Sequence, residues 1–272
     1  MGVLGLITIN RIRLILVVGI SGCLSLFVLE ILPDGFFAEV PYLNASLSFG
    51  LLAVFGFALI RFFRLGTLEY FRLPQMTKST MVAVALVAVV TVPPIFLVDR
   101  EGKSLLLGLL AILFVFSVGL GEEIFSRGFH YGFLEKYGRY LALVVSSFVF
   151  GLMHLNRYIG DDWDGWKAYS HVIAAFGFGL LACALMIATK SIWVAVIFHT
   201  MANWDLAFPK VKISNVQEVI SEDLLGRLLM PVAQLISYGF LAMVILLVSS
   251  GRGIPQRVQR LMISLKLVDS NV

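Results

Sequence analysis

The chain has 272 residues, is 59% hydrophobic and only 14% charged, and has a mean hydropathy of +0.93. A soluble domain is about 45–50% apolar and about 25% charged, so this composition excludes a soluble globular protein and points to an integral membrane protein. The net charge of +4 is no nucleic-acid signal, because the basic residues gather in particular connections and form no stripe with interleaved aromatics.

A membrane-crossing helix needs about 20 apolar residues, so spans and short connections use up nearly the whole chain. The apolar runs fall at roughly 12–32, 46–63, 80–98, 104–121, 140–156, 168–189, 191–207 and 228–249. They predict an all-α, polytopic membrane protein with about eight transmembrane helices. Arg11 and Arg13 precede the first run, Leu14 to Leu32. That run exceeds the roughly 7–15 residues of a signal-peptide core, and Pro33-Asp34-Gly35 follows it instead of a small-residue cleavage site. It reads as a permanent span.

Connection 33–45 has no Lys or Arg and carries Asp34 and Glu39. Connection 64–79 has Arg64, Arg72 and Lys78, with Arg61 just before it, and 99–103 is balanced. Segment 122–139 brings Arg127, Lys136 and Arg139, and the chain after 250 brings Arg252, Arg257, Arg260 and Lys266. Basic residues in alternate connections place both termini in the cytoplasm by the positive-inside rule. The expected location is the cell's inner or plasma membrane.

Pro74, Pro93 and Pro94 mark breaks or kinks, since proline lacks the helix N–H and clashes with the preceding turn. Stretch 156–167, with Asp161, Asp162, Trp163, Asp164 and Trp166, reads as an extramembrane loop, and 208–227 as a loop with a short surface helix. Ala174, Ala175, Gly177, Gly179, Ala182 and Ala184 favour close helix contact. Cys23 and Cys183 lie in apolar runs and read as small core residues rather than a disulfide or metal pair. No internal or inverted repeat of the transporter kind is evident.

Three polar elements interrupt this apolar pattern. Glu122-Glu123-x-x-x-Arg127 follows the uncharged run Ser104 to Leu120. An ionisable residue at bilayer depth costs about 2.5–3.5 kcal/mol even on the lenient scale, so such residues line protein interiors or watery cavities. Glu123 and Arg127 are i,i+4 and can pair on one helix face. Glu122 lies about 100° round and stays available as a proton acceptor. The second element is Phe150-x-x-x-His154, and the third is His199-x-x-x-Asn203, one helical turn apart. His130 and His171 read as hydrogen-bonded core or interface residues. A proton acceptor, two imidazoles and an amide donor make a hydrolytic set.

Glu-Glu-x-x-x-Arg, then Phe-x-x-x-His, then His-x-x-x-Asn, in this order and on apolar helices, resembles the CAAX prenyl protease and bacteriocin-processing (CPBP or Abi) family of intramembrane endopeptidases. The supporting phrases are Gly121-Glu122-Glu123-Ile124-Phe125-Ser126-Arg127-Gly128-Phe129, Ser147 to His154, and Ser191 to Asn203. The resemblance covers roughly residues 104–207, which divides the chain into N-terminal transmembrane helices (1–103), the protease core (104–207), and a C-terminal loop, helix and basic tail (208–272). It implies an active site inside the helical bundle, with Glu122 and His154 activating the attacking water. His199 and Asn203 would stabilise the oxyanion, with Glu123 and Arg127 in support. It implies no cofactor. The implied partners are a peptide or protein substrate, lipid-modified in some members, and membrane lipids, with no nucleic acid. The loop after His154 departs from the family's short apolar connection.

Two other readings remain open at this point. One is a zinc peptidase with His154, His199 and a carboxylate as ligands, although the chain has no compact His-Glu-x-x-His. The other is a non-catalytic immunity or scaffold protein of the same family, against which the retention of all four candidate catalytic residues speaks. The acidic pair lies at the cytoplasmic end of run 104–121, which suggests cleavage from the cytoplasmic side. Glu122 and His154 can meet only if the helix bearing Glu122 continues to about Phe133.

Overall fold

A computed structural model describes residues 3–32, 37, 39–75, 77, 80–85, 87–89, 104–158, 164–208 and 224–249, with backbone alone at 3–15, 156–157 and 224–226. Among these residues the secondary structure is entirely helical. The helices are α1 (Val3–Leu29), α2 (Leu43–Phe62), α3 (Leu105–Glu135), α4 (Arg139–Met153), α5 (Gly165–Thr189), α6 (Ile192–Ala202), the single turn α7 (Trp204–Ala207) and α8 (Leu224–Ser249). A 3₁₀ turn, Gly66–Phe71, follows α2, and a shorter apolar helix spans Thr80–Val89.

Sequence sets these ends locally. The Ser104 side chain caps α3 by accepting from the Leu107 N–H at 3.2 Å. The Asp164 carboxylate caps α5 by accepting from the Trp166 and Lys167 N–H groups at 3.0 and 3.1 Å. The Lys167 N–H bond, the largest influence, holds the Asp164 carboxyl below its ordinary range. Pro74 lies in the irregular stretch between the 3₁₀ turn and Thr80, as its missing donor requires. Pro93, Pro94, the expected surface helix in 208–227, the acidic centre of the 156–167 loop and the basic tail lie wholly or mainly outside the described residues.

Four helices are long and apolar enough to cross a membrane: Leu43–Phe62, Leu105–Glu135, Gly165–Thr189 and Arg227–Ser249. The expectation of eight spans is met only in part among the described residues. α4 with 15 residues and α6 with 11 are about 22 and 17 Å long at 1.5 Å per residue, short of a hydrocarbon core of about 30 Å. Both stop at residues singled out from the sequence, α4 before His154 and α6 before Asn203. Irregular backbone at that depth is tolerated where protein or a cavity surrounds it.

α3 organises the packing. Between Ile124 and Tyr131 it widens into a π-helix before resuming as α-helix at Gly132. It therefore does continue past Phe133, as the meeting of Glu122 with His154 demands. α2 and α6 lie along α3, and α4 and α8 lie along α5. The small residues allow this closeness. A Cβ on Gly119 would stand 2.8 Å from Thr200 Oγ1 and 3.0 Å from the Val196 carbonyl oxygen of α6. On Gly121 it would strike the Phe49 carbonyl oxygen of α2.

At one end of the bundle the 3₁₀ turn is tied down. Thr67 Oγ1 donates to the Gly128 carbonyl at 2.6 Å, Ser191 Oγ to Arg72 O at 2.8 Å, and Trp193 Nε1–H to Phe71 O at 2.9 Å. At the other end Tyr42 stacks on Phe114 with centroids 5.5 Å apart, and its hydroxyl donates to Ala207 O at 3.4 Å. These contacts fix which helix ends lie together.

The Gly121 contact is with backbone, which cannot swing aside. Gly121→Ala is expected to cost about 1–3 kcal/mol through overpacking, read as a lowered unfolding midpoint in detergent. Gly108→Ala is the control, since a Cβ there meets nothing within 4 Å; it should leave the midpoint unchanged or raise it.

Candidate active site

Glu123 is completely buried and divides its two oxygens between two partners. Oε1 accepts from His199 Nδ1 at 2.8 Å, and Oε2 lies 3.2 Å from Arg127 Nε. The i,i+4 pairing read from the sequence is thus present, although the Arg127 contact is an ion pair off the hydrogen-bond line. Arg127 is also completely buried, and its guanidinium carbon sits 4.4 Å from the centroid of the Phe150 ring. A desolvated cation–π contact of this kind contributes about 2 kcal/mol, which offsets part of the cost of burying Nη1 and Nη2 without hydrogen-bond partners.

Phe150 serves the site twice. Its ring meets the His154 and His199 rings edge-on, with centroids 4.7 and 5.9 Å apart. Its carbonyl lies 2.8 Å from His154 Nδ1. A carbonyl can only accept, so Nδ1 carries the proton there. This acceptor is free because α4 tightens at its end, where the His154 N–H turns to the Gly151 and Leu152 carbonyls.

Both imidazoles therefore commit Nδ1 elsewhere and aim Nε2 at one atom. His154 Nε2 is 3.8 Å and His199 Nε2 is 3.7 Å from Glu122 Oε2. These separations are too long for direct hydrogen bonds and suit a bridging water. Asn203 follows directly on α6, donates its N–H to His199 O at 3.0 Å, and lines the same cavity as Glu122 and His154. Glu122, His154, His199, Glu123 and Arg127 form one connected set, and Asn203 lies on its cavity wall. Among the described residues, no group of three or more His, Cys, Asp or Glu side chains is close enough to hold a metal ion.

The cavity has a volume of about 410 Å³. Apart from the polar group its walls are apolar, with Leu26 and Leu29 from α1, Phe49 and Leu52 from α2, and Phe114 and Val118 from α3. The sequence held no sign that the first two helices help to build the site, because an apolar wall looks like any membrane helix.

His171, read from the sequence as a core or interface residue, also lines this cavity. Its ring lies edge-on to His154 at 4.6 Å, and its Nδ1 is 2.9 Å from the Tyr158 hydroxyl. Nothing at helical spacing from His171 marked it, because Tyr158 and His154 lie across a chain reversal. His130 is the buried core histidine expected, with Nε2 3.0 Å from Ser21 Oγ.

Buried and half-buried carboxylates and imidazoles around an apolar cavity inside a helical membrane bundle define a candidate intramembrane hydrolase. Residues 104–204 match the family model described as type II CAAX prenyl endopeptidase, Rce1-like. That match spans the segment that carries all six polar residues. No curated protein and no solved structure matches the chain.

Arg127→Ala would leave Glu123 as a buried carboxylate with His199 alone. Removing one partner of a buried pair costs about 3–5 kcal/mol, expected as a large drop in the unfolding midpoint. Adding Glu123→Gln should recover part of that loss, because the unbalanced charge goes too. A double-mutant cycle measures the recovery.

Proposed function

We propose that the protein is an intramembrane endopeptidase that hydrolyses a peptide bond with a water held between Glu122 and His154. The observation that carries this reading is the convergence of two imidazole Nε2 atoms on Glu122 Oε2, at 3.7 and 3.8 Å. A water held between Glu122 and His154 is hydrogen-bonded to groups that can take its proton as its oxygen attacks the carbonyl carbon. Glu122 receives that proton, and His154, oriented by the Phe150 carbonyl, shares the hydrogen bond. The same proton then passes to the nitrogen of the departing amine as the C–N bond breaks.

The oxyanion falls to His199 and Asn203. His199 has committed its Nδ1–H to Glu123, so it donates from Nε2 only as the doubly protonated imidazolium. Glu123 and Arg127 act as positioning residues that hold the His199 ring. In a water-poor site, one donor to a developing oxyanion contributes about 2.7–4 kcal/mol.

The protease core is residues 104–207, with the preceding helices walling its cavity and the C-terminal helix packed behind α5. The chain sits in the inner or plasma membrane with both termini cytoplasmic, and the substrate is a polypeptide reaching the site within the membrane. A second reading has one specific support. The Glu123–His199 contact has the form of a carboxylate that orients a metal-binding imidazole, so zinc on His154, His199 and Glu122 is the rival chemistry.

The test is cleavage of membrane-tethered peptides by the purified protein, with and without a strong zinc chelator. Glu122→Gln should abolish turnover. His199→Ala and Asn203→Ala should each lower kcat by about 10²–10³, with unfolding midpoints showing that the variants remain folded. Turnover that survives the chelator supports the water mechanism, and turnover lost to it and restored by zinc moves the site to the metal reading. Folded wild-type protein without activity on any peptide would overturn the peptidase.

A further inference from the structure

Glu122, His154 and Asn203 on the cavity wall have parts in the proposed reaction, and one polar lining residue, His171, has none. An imidazole in an otherwise apolar wall is costly to desolvate unless it is hydrogen-bonded, so its place there needs a physical reason. Its neighbours supply one.

The two imidazoles that face Glu122 are not held equally well. The His199 side chain is 5% exposed, lies within α6, and has its Nδ1 bound by Glu123 at 2.8 Å. The His154 side chain is 20% exposed and stands beyond the last residue of α4. It opens a 3₁₀ turn, His154–Tyr158. Such turns have poorer hydrogen-bond geometry than an α-helix and seldom run past about 3–4 residues. One of 5 residues therefore takes its shape from contacts outside itself. The Phe150 carbonyl, 2.8 Å from Nδ1, fixes which nitrogen of His154 carries the proton. It belongs to the same helix end, however, and moves with His154 if that end shifts.

His171 comes from another helix and touches both ends of the turn. At one end its ring lies edge-on to the His154 ring, with centroids 4.6 Å apart. At the other its Nδ1 is 2.9 Å from the Tyr158 hydroxyl, and the two rings are 5.7 Å apart. A hydroxyl both donates and accepts, so this bond forms with either tautomer of His171 and with the imidazolium. The tie does not depend on the protonation of His171. Its own backbone is well placed to serve as an anchor. It stands six residues after Gly165, the first residue of α5, and α5 packs along both α4 and α8.

We propose that His171, tied to Tyr158, is a positioning residue for His154 in the peptidase reaction; the role rests on that reading. By bracing the 3₁₀ turn against α5, His171 sets the separation of His154 Nε2 from Glu122 Oε2, which is 3.8 Å. A shared water has to come within about 3 Å of both atoms, and a misplacement of about 1 Å can cost about 10² in rate. Phenylalanine at this position would offer the ring without the bond to Tyr158, and an aliphatic residue would offer neither. Tyr158 belongs to the stretch after His154 that replaces a short apolar connection, and the brace gives that stretch a task.

The ring itself can be watched without turnover. The chain has 4 histidines, so ¹⁵N NMR of the full, histidine-labelled protein in detergent can follow each imidazole, with histidine-to-glutamine variants for assignment. In the wild type, neutral His154 should carry its proton on Nδ1. His171→Ala should let both tautomers of His154 populate, and Tyr158→Phe should do so in part. His171→Phe keeps the ring volume if the alanine variant is too unstable, and should behave as Tyr158→Phe does. On membrane-tethered peptides His171→Ala should lower kcat by about 10–100-fold with KM nearly unchanged. Tyr169→Phe is the control: it removes a hydroxyl of the same helix, one bonded to Leu228 O at 3.3 Å, and should leave kcat as it is. A His154 tautomer unchanged in all these variants, or an unchanged kcat where the tautomers mix, would overturn the positioning role. A loss carried by KM would overturn it too, by making His171 a substrate contact. The expected tautomer change in a protein whose wild type cleaves none of the peptides overturns instead the peptidase reading on which the role rests.

Discussion

The site depends on a single buried carboxylate. Glu123 has no contact with solvent and is bound by a guanidinium on its own helix and an imidazole on α6. An isolated charge in such a place is prohibitively costly, and it persists only when paired. Because the pairing is obligatory it is also directional. It holds α6 against α3, fixes the His199 ring, and sends the remaining ring nitrogen toward Glu122. Electrostatic necessity at one residue thereby becomes geometry at the next.

Phe150 plays the corresponding part for the second imidazole. Its ring lies against the Arg127 guanidinium and both histidine rings, while its carbonyl binds the His154 Nδ1–H. That carbonyl would be used up in a longer helix. α4 ends here instead, its last N–H bonds tighten, and an unspent acceptor is left at membrane depth. Helix termination is thus part of the chemistry. The same is true of α6, whose end delivers Asn203 to the cavity wall.

Two kinds of helix share the work. Long spans such as α3 and α5 give the bundle its depth, and short ones stop inside it to present polar groups. Glycines in α3 bring α2 and α6 against it closely enough for their side chains to reach one cavity. The π-helix just after Glu123 carries Arg127 and widens the turn beside it, a departure from α-geometry that recurs near functional sites. Nothing in Ile124 to Tyr131 announces it, because π-turns arise from packing demands rather than from a residue preference.

The sequence by itself determined the membrane class, the helical runs, the Glu123–Arg127 pair and the polar residues that mark the site. These follow from local rules: hydropathy over about 20 residues, and i,i+4 adjacency on a helix. It also carried the family resemblance, because three short motifs lie within 104–207. Only the tertiary structure decided that Glu123, not Glu122, takes the His199 Nδ1–H, that His171 joins the cavity, and that α1 and α2 wall it. Only there does Glu122 become the middle of a helix rather than the end of an apolar run. Each of these is a contact between residues far apart in the chain. Periodicity cannot report such contacts, because it records which way a side chain faces and not what waits on the other side.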